Sequence, residues 1–147
     1  MATRQYEEYL KLLKQSEFFS TLTDSEMDEL VNISLLKKFD LNEIVISESG
    51  EGRYFYVILK GAAKIVKGDP DGEHQTLLIL SEGDCFGEMA ILLREPRSAT
   101  VIAGKDCHVF EVEGDHLDRL SVEIREKIYR QFAINLARRL QLNSLGK

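Results

Sequence analysis

The most informative stretch of the sequence covers residues 86–101 and reads FGEMAILLREPRSATV. Its residues predict a glycine turn, a short apolar helix, a proline-bearing loop and the start of a strand. Glu88 then lies in the first turn of that helix, and Arg97 and Ser98 lie where the loop returns to the body of the protein. Free N–H groups at a helix start favour an anion, and a guanidinium can hold a phosphate through two parallel hydrogen bonds. The stretch therefore predicts an anion site.

The neighbouring side chains narrow the type of ligand. Ser98 adds a hydroxyl donor, and the small Ala99 lets a ligand approach the backbone. A carboxylate beside a phosphate is repulsive unless it accepts hydrogen bonds, and a sugar hydroxyl can donate one. Glu88 is therefore a candidate sugar contact, and the pattern favours a compact ligand with one anionic group and one sugar.

Each of these residues, taken alone, also has an ordinary structural interpretation. Arg97 can form a surface ion pair with Glu95, and Glu88 can simply face the positive end of the helix dipole. Gly87 fits any tight turn, and Ser98 can cap one. Only the ordered combination favours a binding site.

Taken in order, residues 86–101 resemble the phosphate-binding cassette of the cyclic-nucleotide-binding domain family. The family pattern is roughly FGE-[LIM]-A-L, a short gap and then P-R-[AST]-A-[TS]-V. The resemblance implies that Gly87 and Glu88 bind a ribose and that Arg97 and Ser98 bind a cyclic phosphate, assisted by backbone N–H groups near Ala90 and residues 98–99. The ligand-binding residues implied within the cassette are Phe86, Gly87, Glu88, Met89, Ala90, Arg97, Ser98 and Ala99.

One turn departs from the family pattern. The family often has Gly-Asp-x-Gly-Asp here, whereas this chain has Ser49-Gly50-Glu51-Gly52-Arg53. Because the turn is distant from the cassette in sequence, we expect the change to affect the local turn shape more than binding.

The rest of the chain predicts a mainly β protein with helices at both ends. An apolar stripe predicts a helix over Tyr6 to Gln15, and Thr23 followed by Glu26 predicts a capped second helix. Short runs rich in β-branched and aromatic residues predict strands. These runs are Ser34–Phe39, Glu43–Ile46, Tyr54–Leu59, Ala62–Val66, Gln75–Leu80, Ala99–Ala103 and His108–Val112.

Strands of this number and spacing are typical of a sandwich or roll. The resemblance, which covers nearly the whole chain, implies a β-roll of the double-stranded β-helix or jelly-roll type. We expect one domain over residues 1–147, with N-terminal helices over 1–33, the roll over 34–113 and C-terminal helices over 114–147.

The segment from Ser121 onward predicts a long helix. Apolar residues recur every four positions, at Ile124, Ile128, Phe132, Leu136 and Leu140. A four-residue row drifts around a helix that turns once in about 3.6 residues. One part of the helix surface can therefore contact the roll and another part a second partner. Arg138 and Arg139 lie on this helix, and we expect them to form a solvated face.

The end of this helix extends the resemblance. Residues 136–144 read LARRLQLNS and resemble the dimer helix of the bacterial cyclic AMP receptor proteins. The resemblance implies a homodimer through this helix and purine contacts from Asn143 and Ser144, although a frayed polar helix end explains those two residues equally well. Those receptors continue into a DNA-binding helix-turn-helix, whereas this chain ends at Lys147. A stand-alone sensor and a piece of a longer regulator both remain open.

Composition excludes several classes of protein. The net charge of −6 argues against direct DNA binding. No apolar run approaches the roughly 20 residues of a membrane span, and the N-terminus lacks a secretory core, so we expect a cytoplasmic protein. Cys85 and Cys107 are then expected to be free thiols. His74, His108 and His116 match no metal-ligand spacing, so we expect no metal and no enzyme of the cupin type.

These observations favour a regulatory sensor that binds a cyclic nucleotide and is not an enzyme. Cyclic AMP is preferred because of the C-terminal resemblance, but Ser98 does not discriminate between bases, and cyclic GMP remains an alternative. A ligand-free dimerisation or scaffold module of the same fold is the other alternative. In the predicted mechanism the nucleotide docks on the cassette, the C-terminal helix moves to cover the base, and the change reaches an unidentified downstream protein.

Overall fold

The computed structural model describes residues 2–145 and the side chains of residues 7–142. The helices are α1 Ala2–Gln15, α2 Asp24–Val31, α3 Glu88–Leu93, α4 Gly114–Leu117 and α5 Val122–Leu145. The strands are β1 Ser34–Phe39, β2 Ile44–Ile46, β3 Tyr54–Lys60, β4 Ala63–Gly68, β5 His74–Leu80, β6 Cys85–Phe86, β7 Thr100–Ala103 and β8 Cys107–Glu113.

The strands form two four-stranded antiparallel sheets. The first has the order β1-β8-β3-β6 and the second the order β2-β7-β4-β5. Apart from the hairpin of β4 and β5, strands that neighbour each other in space are not consecutive in sequence, as when a chain winds back and forth between two sheets. The predicted mainly β roll with helices before and after it is confirmed.

The element bounds agree with the sequence prediction to within a few residues at most ends, and three short elements escaped it. These are strand β6, a 3₁₀ turn at Glu17–Phe19 and helix α4. Two to four residues are too few to reveal an alternating or helical period. Strand β6 matters most, because its two residues pair with Tyr56 and Val57 of β3 and lead directly into the cassette.

Two apolar cores hold these layers together. One lies where α1, α2 and α5 cover the first sheet, and it contains the fully buried Leu13, Leu30, Phe55, Phe110 and Phe132. The other lies between the two sheets and includes Ile46, Tyr56, Leu80, Val101 and Val109. The cassette contacts both, since Ile91 packs against the first core and Phe86 belongs to the second.

Helix α2 starts at the predicted cap and is tied to α5. The Thr23 hydroxyl accepts the N–H of Glu26, and the Glu26 carboxylate accepts the N–H of Thr23. The same carboxylate accepts a hydrogen bond from Lys127 at 2.6 Å. This bond from α5 lowers the pKa of Glu26 and joins the two helices that cover the first sheet.

Helix α5 changes its mode of attachment along its length. Ile124, Ile128 and Phe132 are at most 2% exposed and pack in the first core. Leu136 is half-buried and Leu140 is 69% exposed, as expected for a four-residue row that drifts around the helix. Beyond Phe132, polar side chains make the contacts with the roll. None of the helices within residues 2–145 is both long and apolar enough to cross a membrane.

Candidate functional site

The cassette begins at a glycine that no other residue can replace without strain. Gly87 has φ of 86° and precedes helix α3. A Cβ at this position would lie 2.8 Å from the carbonyl oxygen of Tyr54 and 2.9 Å from a guanidinium nitrogen of Arg97. The positive φ and the lack of space both require glycine. The turn therefore brings the backbone of the cassette and the side chain of Arg97 into direct contact.

Arg97 points into the protein. Its side chain donates hydrogen bonds of 2.6 Å to the carbonyl oxygens of Gly87 and Tyr54, and the residue is 7% exposed. Burial lowers the pKa of the guanidinium, an effect that nearby Tyr56 and Glu88 partly oppose. The alternative of a surface ion pair between Arg97 and Glu95 is wrong.

The charge of Arg97 lacks a close counter-ion. Among the residues whose side chains are described, no carboxylate lies within 4.0 Å of it. A guanidinium has five N–H donors, and the two carbonyl oxygens leave some of them available. A buried cation without a paired anion is costly unless a ligand supplies the anion.

Glu88 lies in the first turn of α3 and is 1% exposed. Its carboxylate accepts a hydrogen bond from Arg139 of α5, with an N–O distance of 3.0 Å. Burial raises the pKa of Glu88, whereas Arg139 and Arg97 act to lower it. This pair shows that Glu88 is held as a hydrogen-bond acceptor inside the site, and its carboxylate does more than face the helix dipole.

Arg139 is the main residue lining the hollow that the sequence interpretation missed. We expected it to belong to a solvated face with Arg138. The side chain of Arg139 is only 17% exposed and also donates to the carbonyl oxygen of Cys85. Arg138, one residue earlier, is 57% exposed and pairs with Glu17 at 3.0 Å. Successive helical residues differ by about 100° in direction, which separates a solvated arginine from one that enters the site.

Asn135 ties α5 to strand β6, which leads into the cassette. It lies one turn before Arg139 and is 5% exposed. Its side-chain oxygen accepts the N–H of Cys85 at 3.2 Å, and its amide nitrogen donates to the carbonyl of Gln131. Asn135 and Arg139 therefore bind the N–H and the carbonyl of the same residue, Cys85. We call these two side chains the α5 clamp.

The predicted cassette residues line a single hollow of about 170 Å³. All eight predicted residues contribute, namely Phe86, Gly87, Glu88, Met89, Ala90, Arg97, Ser98 and Ala99. Seven further lining residues are Leu93, Glu95, Pro96 and Val101 of the same stretch and Ile46, Ile65 and Arg139 from β2, β4 and α5. The hollow is smaller than the roughly 300–1,000 Å³ of typical ligand pockets. Arg139 forms one wall of it, so its size depends on where the end of α5 lies.

The outer end of the cassette is open. Ser98 is exposed, and its carbonyl oxygen accepts a hydrogen bond from Lys67 of β4. Met89, on the other side of the hollow, is 49% exposed. The predicted purine contacts Asn143 and Ser144 lie outside the residues whose side chains are described.

The turn at residues 49–53 lies directly against the cassette. The N–H of Ser49 donates to the carbonyl of Arg97 at 2.7 Å, and the N–H of Arg97 donates to the carbonyl of Gly50 at 2.9 Å. Gly52 packs so closely on α3 that a Cβ there would lie 2.0 Å from the Cβ of Ala90. Distance along the chain was therefore a poor guide, and this departure from the family pattern adjoins the site. Arg53 turns outward and pairs with Glu51 at 3.0 Å.

The site contains no obvious metal-binding chemistry. Within the described residues, no three His, Cys, Asp or Glu side chains converge in a way that could hold a metal ion. Cys85 and Cys107 are both buried free thiols, as predicted. Burial raises the pKa of Cys85 and raises that of Cys107 to about 11, which keeps both thiols protonated.

Comparisons with known proteins point to one family. The profile of the cyclic nucleotide-binding domain matches residues 36–123. A cGMP-dependent protein kinase of Toxoplasma gondii is 26% identical over 134 residues, which are 91% of this chain and 13% of that kinase. The chain thus spans a small part of the length of this curated relative.

Two solved structures are also similar. The regulatory domain of Toxoplasma gondii PKA, crystallised with cAMP, has a TM-score of 0.66 and 28% identity, covering 84% of this chain and 47% of that one. A cyclic nucleotide-binding domain from Methylobacillus flagellatus has a TM-score of 0.77 over 95% of this chain and 80% of that one. At 22% identity it supports the fold alone. With the family profile matching more than half of its residues, the chain belongs to the cyclic nucleotide-binding domain family.

Proposed function

We propose that the chain binds a cyclic nucleotide in the hollow above the cassette, and that cyclic AMP is the preferred ligand. The observation that carries this proposal is the buried guanidinium of Arg97, which is 7% exposed and has no carboxylate within 4.0 Å among the described side chains. An anionic ligand would balance this charge in a low-dielectric site, where such pairs are strongest.

The chemistry of the site supports a separate role for each end of the ligand. Arg97 and the backbone N–H groups of Ser98 and Ala99 form the cationic end, suited to a cyclic phosphate. Glu88 forms the opposite end, where a buried carboxylate needs donors and a ribose hydroxyl would supply one. Gly87 separates the two ends without adding a side chain that would fill the hollow.

Helix α5 would report the presence of the ligand. In the structure Arg139 occupies an oxygen of Glu88 that a ribose hydroxyl would also approach. Arg139 must then share Glu88 with the ligand or move away from it, and in either case the contacts of α5 with the cassette change. A ligand with different affinities for the two positions of α5 would shift the population between them. Movement of the C-terminal helix over the base remains part of the proposal.

The exposed face of α5 supports a proposed second partner. Val122 is 66% exposed and Leu140 is 69% exposed, and Ala133 between them is also exposed. Exposed apolar residues along one helix favour contact with a second copy of the chain or with a downstream protein. We propose a homodimer here, and a purely regulatory role with no catalysis by this chain. A cytoplasmic location stays a prediction.

Calorimetric titration of the purified chain with cyclic AMP, cyclic GMP and non-cyclic AMP tests the proposal. We expect both cyclic nucleotides to bind, cyclic AMP more tightly, and non-cyclic AMP much more weakly because its phosphate carries more charge and a different shape. Equal or tighter binding of cyclic GMP would overturn the choice of base. If none of the three binds, the ligand-free scaffold becomes the better interpretation.

A further inference from the structure

Two neighbouring peptide groups at the outer end of the cassette have free N–H groups. The N–H groups of Ser98 and Ala99 form no hydrogen bond with any residue that the structure describes. Both residues line the hollow, and the buried Arg97 directly precedes them. Successive N–H groups in a bend of the backbone form a concavity that attracts anions. We call residues 97–99 the cassette bend.

The carbonyl oxygens of the same two peptide groups are held by donors that do not line the hollow. The N–H of Ser49 donates to the carbonyl of Arg97 at 2.7 Å, and the Nζ of Lys67 donates to the carbonyl of Ser98 at 2.5 Å. Within the described residues every peptide bond is trans. A trans peptide group is planar, so its C=O and its N–H point in opposite directions. Each of these two bonds therefore also turns an N–H group away from the donor.

Lys67 is itself held by Glu48. The Nζ of Lys67 lies 3.5 Å from a carboxylate oxygen of Glu48, and the backbone N–H of Glu48 donates to the hydroxyl of Thr100 at 2.9 Å. Thr100 is 2% exposed and begins β7, next to the cassette bend. The side chains of Lys67 and Glu48 are 53% and 33% exposed, so their ion pair alone contributes little to stability. What the pair does is keep the ammonium group beside the carbonyl of Ser98.

We propose that Lys67 is a positioning residue for the phosphate end of the site. Its bond to the carbonyl of Ser98 aims the N–H of Ala99 into the hollow before any ligand arrives. A donor that is already aimed loses less conformational freedom on binding, so the site binds an anion more tightly. Without this bond the exposed peptide group is free to rotate. The inference rests on the proposed function, since the anion is taken to be a cyclic phosphate.

Lys67→Met tests the inference by removing the ammonium group and keeping a long side chain. We expect cyclic AMP to bind about three- to tenfold more weakly in calorimetric titration, the effect of losing one aligned hydrogen bond. Lys64→Met on the same strand is the matched control, because Lys64 does not line the hollow and forms no hydrogen bond or ion pair with the described side chains. Its Kd should equal that of the wild type. Thermal unfolding of each variant shows whether it is folded.

Two diastereomers of a cyclic AMP phosphorothioate separate aiming of the N–H from a general structural effect. In each of them sulfur replaces one of the two exocyclic phosphate oxygens, and sulfur is a weak hydrogen-bond acceptor. The wild type should therefore bind one diastereomer more weakly, the one whose sulfur meets the N–H of Ala99. In Lys67→Met the ratio of the two Kd values should fall about threefold, because that N–H is no longer aimed. Lys67→Arg keeps a cationic donor and should keep the ratio of the wild type.

The outcomes distinguish this inference from the proposed function. If the wild type binds cyclic AMP and Lys67→Met leaves both the Kd and the diastereomer ratio unchanged, the inference is overturned and the proposed function stands. Equal weakening of both diastereomers would also overturn it, because Lys67 would then act on the fold as a whole. An equal loss in Lys64→Met would do the same, since any nearby positive charge would explain it. A wild type that binds no cyclic nucleotide would overturn both.

Discussion

Replacing Arg97 with alanine removes the buried cation of the hollow. Because no described carboxylate pairs with Arg97 in the structure, the ligand would be its first anionic partner. Loss of the charge should then appear fully as a loss of binding free energy, because the substitution breaks no ion pair that already exists in the protein. Removing one partner of a buried charge pair costs about 2–5 kcal/mol, or roughly 30-fold to several thousand-fold in Kd.

The same substitution should affect stability much less. It leaves the carbonyl oxygens of Gly87 and Tyr54 without their donor, which is destabilising. It also removes a cation whose burial is unfavourable, as the lowered pKa of Arg97 indicates. These two effects oppose each other, so we expect a small change in melting temperature beside a large change in affinity.

The assay is calorimetric titration of cyclic AMP into the wild type, Arg97→Ala and Arg119→Ala. Arg119 is exposed and does not line the hollow, so its replacement controls for the loss of one positive charge. A folded Arg97→Ala variant whose Kd stays within about threefold of the wild type, under 1 kcal/mol, would refute the assignment of Arg97 to the ligand.

Three other substitutions test the surrounding structure. Gly52→Ala places a Cβ 2.0 Å from that of Ala90, so we expect weaker nucleotide binding and a lower melting temperature. Calorimetry measures the binding and thermal unfolding measures the stability. Unchanged values of both would contradict the close packing of Gly52 on α3. Phe132→Ala empties a site that is 1% exposed and packs edge-on to Phe55, so unfolding in urea should show a loss of about 3–5 kcal/mol, and a loss under about 1 kcal/mol would contradict its place in the core. Burial, with nearby lysines, lowers the pKa of His108 from 6.5, so the folded protein favours the neutral imidazole. The free energy of unfolding should therefore be highest above pH 6.5 and should fall as the pH drops toward the lower pKa of the folded protein. His108→Gln should flatten that part of a melting-temperature profile, and an unchanged slope would exclude His108 as its source.

The cassette could be predicted from sequence because its residues are local. Gly87, Glu88 and Arg97 lie within eleven consecutive positions, and the chemistry of each residue limits the roles that the other two can have. The strands could be predicted because β-branched and aromatic runs between turns have few other interpretations. The capped start of α2 followed from Thr23 and Glu26 alone, and the structure contains both hydrogen bonds.

The parts that could not be predicted depend on contacts between distant segments. Arg139 lies 51 residues after Glu88, and nothing in its local sequence distinguishes it from Arg138. The buried Glu111 reads locally as the outward residue of an alternating strand, and only the register with β3 places it against Tyr56. The sequence around Cys85 gives no sign that its backbone N–H and carbonyl form hydrogen bonds with two side chains of α5.

The two kinds of attachment along α5 have different sensitivities to the solvent. The turns around Ile124 and Phe132 are held by apolar burial, which ordinary changes in ionic strength hardly affect. The turns around Asn135 and Arg139 are held by hydrogen bonds, one of them between opposite charges. Because Glu88 is 1% exposed and Arg139 is 17% exposed, salt screens this pair little, whereas protonation of Glu88 in acid would remove its charge, and burial raises the pKa of that carboxyl. Mild acid should therefore weaken the attachment of the distal half of α5 while the proximal half stays packed, and amide exchange rates along the helix would diverge as the pH falls.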